Sequence, residues 1–316
     1  MGEQFIRREE ALRRGATDRE LQRQCRTGVW KRLHPGRFAH AEAYLELGAE
    51  ARHRLVAEAV LDVASPEAVL SHQSAAVVHG FDLWSTPLAR VHLTRNRSSG
   101  GSLSRRRRVH SVPLPDSDIT TVDGLRVTTP ARTVVDLAAT LGFEQALVAA
   151  DHALHVGAVD QAALEAALTP ARKHPHRIRR VLRMADGRSE SVGETRSRAL
   201  LVREQLPLPD LQPELHSHKG VLLGRVDFLF DGVVGEFDGL SKYGRLVPDG
   251  TLPEDVLVAE KKREDAIRDA GWQVVRWTWE ELTTPEVIAD RIRRALNRAR
   301  RSEPPTGRIV RMPPVG

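Results

Sequence analysis

Apolar positions in the first part of the chain recur with a helical period, punctuated by Gly and Pro. Residues 3–14 set Phe5 and Leu12 on one side of a short helix that Gly15 ends. Thr17 opens a second helix with a capping box, because Glu20 lies three positions on. On that helix Arg19, Arg23 and Arg26 share one face, with Leu21 and Cys25 opposite. Gly28 closes it, and residues 30–33, a Pro35-Gly36 turn and residues 37–39 predict a small hairpin. An amphipathic helix over 48–64 and a second helix between Ser71 and Gly80 follow. Strands are expected at 90–94, 107–112 and 125–130, and helices at 131–141, 143–155, 160–168 and 175–185.

From Ser191 onward the expected order is helix, strand, strand, helix, strand. The helix begins near Glu194, a favourable place for a carboxylate in a first turn. Residues 225–239 form a hairpin around an Asp231-Gly232 turn, 254–270 a charged helix closed by Gly271, and 272–278 a strand. Three of the five Trp fall between Trp272 and Trp279, marking that segment as packed core. The Pro-rich stretch from Ser302 reads as a disordered tail.

These patterns predict an α/β multidomain protein divided as 1–45, 46–187, 188–300 and a tail at 301–316. Helix, turn, basic helix, basic hairpin is the order of a winged helix-turn-helix over 1–45. In that arrangement the basic helix enters the major groove and the hairpin touches phosphates, so Arg19, Arg23, Arg26, Lys31, Arg32 and Arg37 are the expected DNA contacts. A helical cap whose arginines only face water is the plainer reading. Arg105 to Arg108, beside a Gly/Ser loop, are a further phosphate-gripping candidate or a solvated hairpin tip.

Net charge of +6 with 28% charged residues points toward a polyanionic partner such as DNA. One cysteine, Cys25, excludes a disulfide framework and a cysteine-based zinc site. With neither a signal-peptide pattern nor an apolar run of membrane-spanning length, a cytoplasmic protein with no membrane partner is expected.

The candidate chemistry lies in the 225–239 hairpin. Asp227 is expected on its first strand, and Glu236 and Asp238, two apart on the second, project from one face. Three carboxylates at a sheet edge suit a hard divalent cation, Mg²⁺ or Mn²⁺. In a basic chain this suggests a metal-dependent enzyme acting on a nucleic-acid backbone; a surface hairpin with salt bridges is the bland alternative. His216 with His218 and His174 with His176 lack an evident third ligand and read as loop histidines, and His72 and His79 as packing or capping residues.

Two stretches resemble known families. Residues 188–296 resemble the PD-(D/E)xK nuclease superfamily, in the branch of very-short-patch-repair (Vsr) endonucleases. The resemblance rests on Glu194-Thr195-Arg196-Ser197-Arg198, Val226-Asp227-Phe228, Gly235-Glu236-Phe237-Asp238-Gly239, Glu260-Lys261-Lys262-Arg263-Glu264-Asp265 and Gly271-Trp272-Gln273-Val274-Val275-Arg276-Trp277. It implies a restriction-endonuclease-like mixed sheet flanked by helices. It also implies metal ligation by Asp227, Glu236 and Asp238, and a role for Glu194 through water or a second metal. The superfamily lysine is replaced by Asp238, which leaves Lys242 or Lys261 to assist and Arg263 to contact phosphate or buttress the acids. The front half resembles AbiEi-type antitoxins of type IV toxin–antitoxin systems. That likeness rests on Gly28-Val29-Trp30-Lys31-Arg32-Leu33 with Gly36-Arg37-Phe38, Ser71-His72-Gln73-Ser74-Ala75-Ala76, and Val127-Thr128-Thr129-Pro130-Ala131-Arg132-Thr133-Val134-Val135-Asp136-Leu137-Ala138. It implies a winged-helix DNA-binding domain followed by a mixed α/β middle domain. The two expectations are a Mg²⁺-dependent DNA endonuclease, or an antitoxin-like transcriptional regulator with a catalytically silent nuclease fold. A cognate toxin and a second copy of the chain are further expected partners.

Overall fold

The computed structural model describes residues 5–169, 173–239 and 253–313, with the side chains of 253–257 excepted. The chain is mixed α/β and divides into two compact units, Met1–Ala149 with Gln161–Arg180, and Ala150–Asp160 with Val181–Gly316.

The first unit starts with β1 (Ile6–Arg7), α1 (Arg8–Arg13), α2 (Asp18–Arg26), β2 (Trp30–His34) and β3 (Arg37–His40). The three strands form an antiparallel sheet in the order β1-β3-β2. The expected capping box is present: the Glu20 amide donates to the Thr17 hydroxyl at 3.2 Å, and the Thr17 amide donates to the Glu20 carboxylate at 2.9 Å. Leu21 anchors α2 against Ala11 and Phe38, leaving the opposite face of the helix to solvent. Next come α3 (Ala41–Glu46) and α4 (Ala49–Leu61), whose Leu55 and Ala59 pack on Phe5, Leu33 and Ala39 of the small sheet.

A six-stranded sheet follows, in the order β6-β7-β5-β4-β9-β8, from β4 (Val69–Leu70), β5 (Val91–Asn96), β6 (Ser102–Leu103), β7 (Arg107–Val112), β8 (Ile119–Val122) and β9 (Leu125–Thr128). Helix α5 (His72–His79) leaves β4 immediately. Ala75 and Val78 of α5 and Ala57 and Val60 of α4 pack with Leu70, Val91, Leu93, Val109 and Val127 of the sheet. Helices α6 (Pro130–Thr140), α7 (Phe143–His155), α8 (Gln161–Ala167) and α9 (Pro175–Met184) follow, α7 carrying the chain into the second unit and α9 likewise.

The second unit contains α10 (Val192–Arg203), β10 (Asp210–Leu211), β11 (Glu214–His216), β12 (Leu222–Arg225), β13 (Phe228–Phe230), β14 (Val233–Asp238), α11 (Pro253–Asp269), β15 (Gln273–Thr278), α12 (Pro285–Ala299) and β16 (Arg308–Val310). Its main sheet runs β10-β13-β14-β15, with β13 and β14 antiparallel and β14 and β15 parallel. Helix α11 makes the crossover that a parallel pair requires. Leu200 and Leu201 of α10 and Ile288, Ile292 and Leu296 of α12 share a core with Val233, Phe237 and Trp277. On the other face Val234 packs with Ile267 of α11 and Leu215 of β11. The period-2 alternation of β14 therefore turns Val233 and Phe237 toward α10 and α12, and Val234 and Glu236 toward α11. A Cβ at Gly193 would lie 1.9 Å from the Phe237 ring, so only glycine lets α10 approach β14 this closely. Trp277 is fully buried and donates its indole N–H to the Ser197 hydroxyl at 2.7 Å.

Two expectations change. Asp227 is not on a strand: it sits at a bend between β12 and β13, which belong to different sheets. The stretch read as a disordered tail includes β16, which pairs antiparallel with β11 in a second, three-stranded sheet, with Leu215 opposite Ile309. A short alternating strand inside a Pro-rich segment is hard to see because its pairing partner lies far upstream.

Candidate functional site

The α2 surface is built by the capping box and by Leu21. Arg19, Arg23 and Arg26 are all exposed on it, as are Lys31 and Arg32 on β2. The Lys31 ammonium lies 5.4 Å from the centre of the Tyr44 ring and the Arg32 guanidinium 5.7 Å from that of Phe38, so both stems are braced on aromatic faces. At the turn of this hairpin, burial lowers the pKa of His34, and the charges of Arg107, Arg37 and Arg106 lower it further. The hairpin and the Arg105–Arg108 stretch thus form neighbouring parts of one basic surface; Arg105, Arg106 and Arg108 are exposed.

Arg37 does not belong to that surface. It is 8% exposed, its Nε bonds Asp62 at the end of α4, its Nη1 lies 3.3 Å from Glu9, and it donates to its neighbour's carbonyl at Gly36 at 2.9 Å. Asp62 is also bonded by Arg7 at 2.8 Å, and these two guanidinium partners hold its carboxyl below the usual range. The expected phosphate contact is a structural ion pair.

In the second unit the predicted acids are drawn into one neighbourhood, each already engaged. Glu236 is buried; its Oε1 lies 2.8 Å from Arg263 Nη2 and its Oε2 2.8 Å from Arg276 Nη2. Burial raises its pKa against the pull of both arginines, and the charge of Asp227 raises it further. Arg276 comes from the strand position directly beside Glu236 and also reaches Glu260 at 2.6 Å and Glu264 at 3.1 Å. Glu260, hydrogen-bonded by Arg263 and Arg276, is held down to about 2. Asp227 accepts the Phe237 amide proton at 2.8 Å. Asp238 lies 3.9 Å from Arg276.

Glu194 caps its own helix: the Glu190 amide, the Ser191 hydroxyl and the Gln212 side-chain amide all donate to it, at 2.9, 2.7 and 2.9 Å. Burial raises its pKa, opposed by these bonds. Gln212 was not anticipated. It sits at φ 54°, is buried, and its main-chain N–H donates to the main-chain carbonyl of Asp227 at 3.1 Å, tying Glu194 to the Asp227 backbone. Lys261 is exposed, Arg263 is the Glu236 partner just described, and Lys242 lies outside the described residues.

Among the described residues, the group of three His, Cys, Asp or Glu side chains with ligand atoms all within 4.8 Å of one another is His72, His92 and His110. The structure does not gather Asp227, Glu236 and Asp238 that tightly. The sequence places His72 on a helix as a packing or capping residue, and no spacing in it marks His92 or His110. His110 on β7 pairs with Thr94 of β5, two positions along from His92, so the two imidazoles leave the same face of the sheet, and α5 carries His72 beside them. The alternating His-x-Thr of β5 and the Val-His of β7 were the available signal.

Residues 67–184 match the family model of the AbiEi antitoxin C-terminal domain. Two Mycobacterium tuberculosis relatives, the uncharacterized proteins MT2308 (strain CDC 1551 / Oshkosh) and Rv2248 (strain ATCC 25618 / H37Rv), are each 30% identical over 294 residues, covering 90% of this chain and 98% of theirs. Among solved structures, the crystal structure of the RV2827C protein from Mycobacterium tuberculosis aligns with a TM-score of 0.39 and 17% identity over 57% of this chain and 71% of that one. The extent of the two relatives' similarity, spanning both units, places the chain in the family of these mycobacterial proteins, with an AbiEi antitoxin-like domain at its centre.

Proposed function

We propose that the chain is a DNA-binding regulator of the antitoxin type. The observation that carries this reading is the exposed row Arg19, Arg23 and Arg26 on α2, flanked by the Lys31 and Arg32 hairpin. It has the elements of a winged helix-turn-helix, with α2 as the groove-entering helix and β2–β3 as the wing. The antitoxin domain match over 67–184 supports the same role and suggests a toxin protein as partner. The exposed arginines before β7 extend the phosphate-contacting surface. A homodimer would read an inverted repeat with half-sites about 34–36 Å apart. The test is binding to the promoter of the chain's own gene. The reading expects sequence-specific binding; equally weak binding to every sequence counts against it.

A Mg²⁺- or Mn²⁺-dependent endonuclease is the second reading. The observation that favours it is that Asp227 is bonded to the Phe237 amide, next in β14 to buried Glu236, and is tied to buried Glu194 through Gln212, an arrangement that apolar core packing does not need. In that reading Asp227, Glu236 and Asp238 hold the metal, which lowers the pKa of a bound water, and Lys242 or Lys261 assists. Metal binding would have to displace Arg263 or Arg276 from Glu236. Cleavage of supercoiled DNA that is lost in Asp227→Ala establishes it; cleavage at the same rate in that variant excludes this site.

A further inference from the structure

We propose that His72, His92 and His110, in the antitoxin-like domain, form a binding site for a borderline divalent transition metal, Zn²⁺ first among them. His92 Nδ1 and His110 Nε2 face each other at 3.1 Å. Two imidazole nitrogens bound at about 2.0–2.1 Å to a tetrahedral centre stand roughly 3.3 Å apart. The pair is therefore already at ligand spacing, and His72 completes a set whose ring nitrogens all lie within 4.8 Å. The three rings pack together: His72 stacks on His110 with centroids 3.8 Å apart, and His92 lies 5.5 Å from His72 and 5.3 Å from His110, so ligation of one ion by all three requires the His72 ring to tilt out of its stack.

A second observation is backbone strain. His72 sits at φ 51°, a left-handed conformation that a non-glycine residue rarely adopts. The strain falls at the first residue of α5, between N-cap Ser71 and the helix, and goes with an imidazole placed over His92 and His110. The Ser71 hydroxyl holds His72 Nδ1 at 3.0 Å and itself accepts from Thr94 at 2.8 Å. Metal-ligating histidines characteristically have their other nitrogen fixed in this way.

Burial keeps the three rings as the neutral imidazoles that a metal ion binds, while the nearby arginine charge opposes the ion itself. Burial, followed by neighbouring cationic charge, holds His92 down to about 3 and His110 to about 4, and pushes His72 well below its ordinary value. Arg108 and Arg132 contribute positive charge. Arg132 is neutralised by Asp136 at 2.9 Å and Asp118 at 2.8 Å, and an Asp136 oxygen lies 4.0 Å from His72. Without metal, one neutral ring of the His92–His110 pair donates its N–H to the other; for a dication to bind between them, that ring's proton moves to its other nitrogen, so both ligands stay neutral imidazoles. Three histidines leave a fourth tetrahedral position for water or an exogenous ligand. The alternative is a self-contained stack of hydrogen-bonded neutral rings.

The test is titration of the untagged, metal-stripped full chain with Co²⁺ at pH 7.5, followed by displacement with Zn²⁺. The proposal expects one equivalent of Co²⁺ with the intense visible absorption of a four-coordinate site. It also expects weakening by more than about 100-fold in His92→Ala and in His110→Ala, since even loss of a supporting partner costs 10–100-fold. Binding should be unchanged in His216→Ala. X-ray absorption on the Zn²⁺-loaded wild-type chain needs no folded variant and should show three imidazole nitrogens at about 2.0–2.1 Å. No stoichiometric binding, binding that survives both His92→Ala and His110→Ala, or a carboxylate-rich shell would overturn it.

Discussion

Replacing Glu236 with Gln asks whether this carboxylate is a piece of architecture or one reserved for chemistry. The side chain is 11% exposed and makes a charge-assisted contact of 2.8 Å to each of two guanidinium groups. Gln keeps the shape and removes the charge. A hydrogen bond to a charged group is worth about 1.5–3 kcal/mol, against about 0.5–1.5 kcal/mol for a neutral one, so two such contacts weaken by about 2–3 kcal/mol in total. Arg263 and Arg276 are a quarter exposed and retain Glu260, which lowers the expected loss to about 2 kcal/mol. For a folding unit of this size that is a fall in Tm of about 4–8 °C. The assay is thermal unfolding at pH 7, with Arg276→Gln and the double variant completing a cycle. A coupling energy of at least about 1 kcal/mol is expected between the two positions. A Tm change below about 1 °C with no coupling would refute the clamp and leave Glu236 free for a metal. If Glu236→Gln instead abolished DNA cleavage at unchanged Tm, the endonuclease reading would stand.

Arg37→Ala should lower stability by about 1–3 kcal/mol, because partly buried Asp62 loses one of its two guanidinium partners and keeps Arg7, with DNA affinity of the folded fraction unchanged in a concentration-corrected binding assay. The same pair predicts acid sensitivity. The carboxyl pKa of Asp62 is lower in the folded chain than its ordinary value of 3.8, so the stabilisation is fully present above that pH and is lost as pH falls below it. Urea midpoints measured from pH 6 to pH 2.5 should drop in wild type and stay flatter in Asp62→Asn. Gly193→Ala drives a methyl to 1.9 Å from the Phe237 ring and should cost at least about 1–3 kcal/mol in denaturant unfolding; an unchanged midpoint would mean that α10 and β14 are not this close.

Local signals were legible in the chain and long-range pairings were not. The Thr17/Glu20 capping box and the Asp231-Gly232 turn lie within a few residues of what they control, and both formed as read. The period-2 rule placed Glu236 and Asp238 on one face, but their guanidinium partners come from α11 and from a parallel strand reached only through a crossover. Arg37 looked like a wing arginine because its partner Asp62 closes a helix 25 positions on. The apolar residues on both sides of Asp227 give a strand pattern, and the switch between sheets leaves no mark in such a run. The histidine trio escaped because β5, β7 and α5 contribute one residue each, and no spacing rule joins them.

The most direct measurement is the salt dependence of promoter-DNA binding for wild type beside the Arg19→Ala/Arg23→Ala/Arg26→Ala variant. Each phosphate contact adds about 0.9 to the slope of log affinity against log salt, so losing three should flatten it by about 2.7. Between 50 and 200 mM salt, the variant's affinity should therefore fall about 40-fold less than that of wild type. A parallel pair of slopes, with both proteins folded, would contradict DNA recognition through α2.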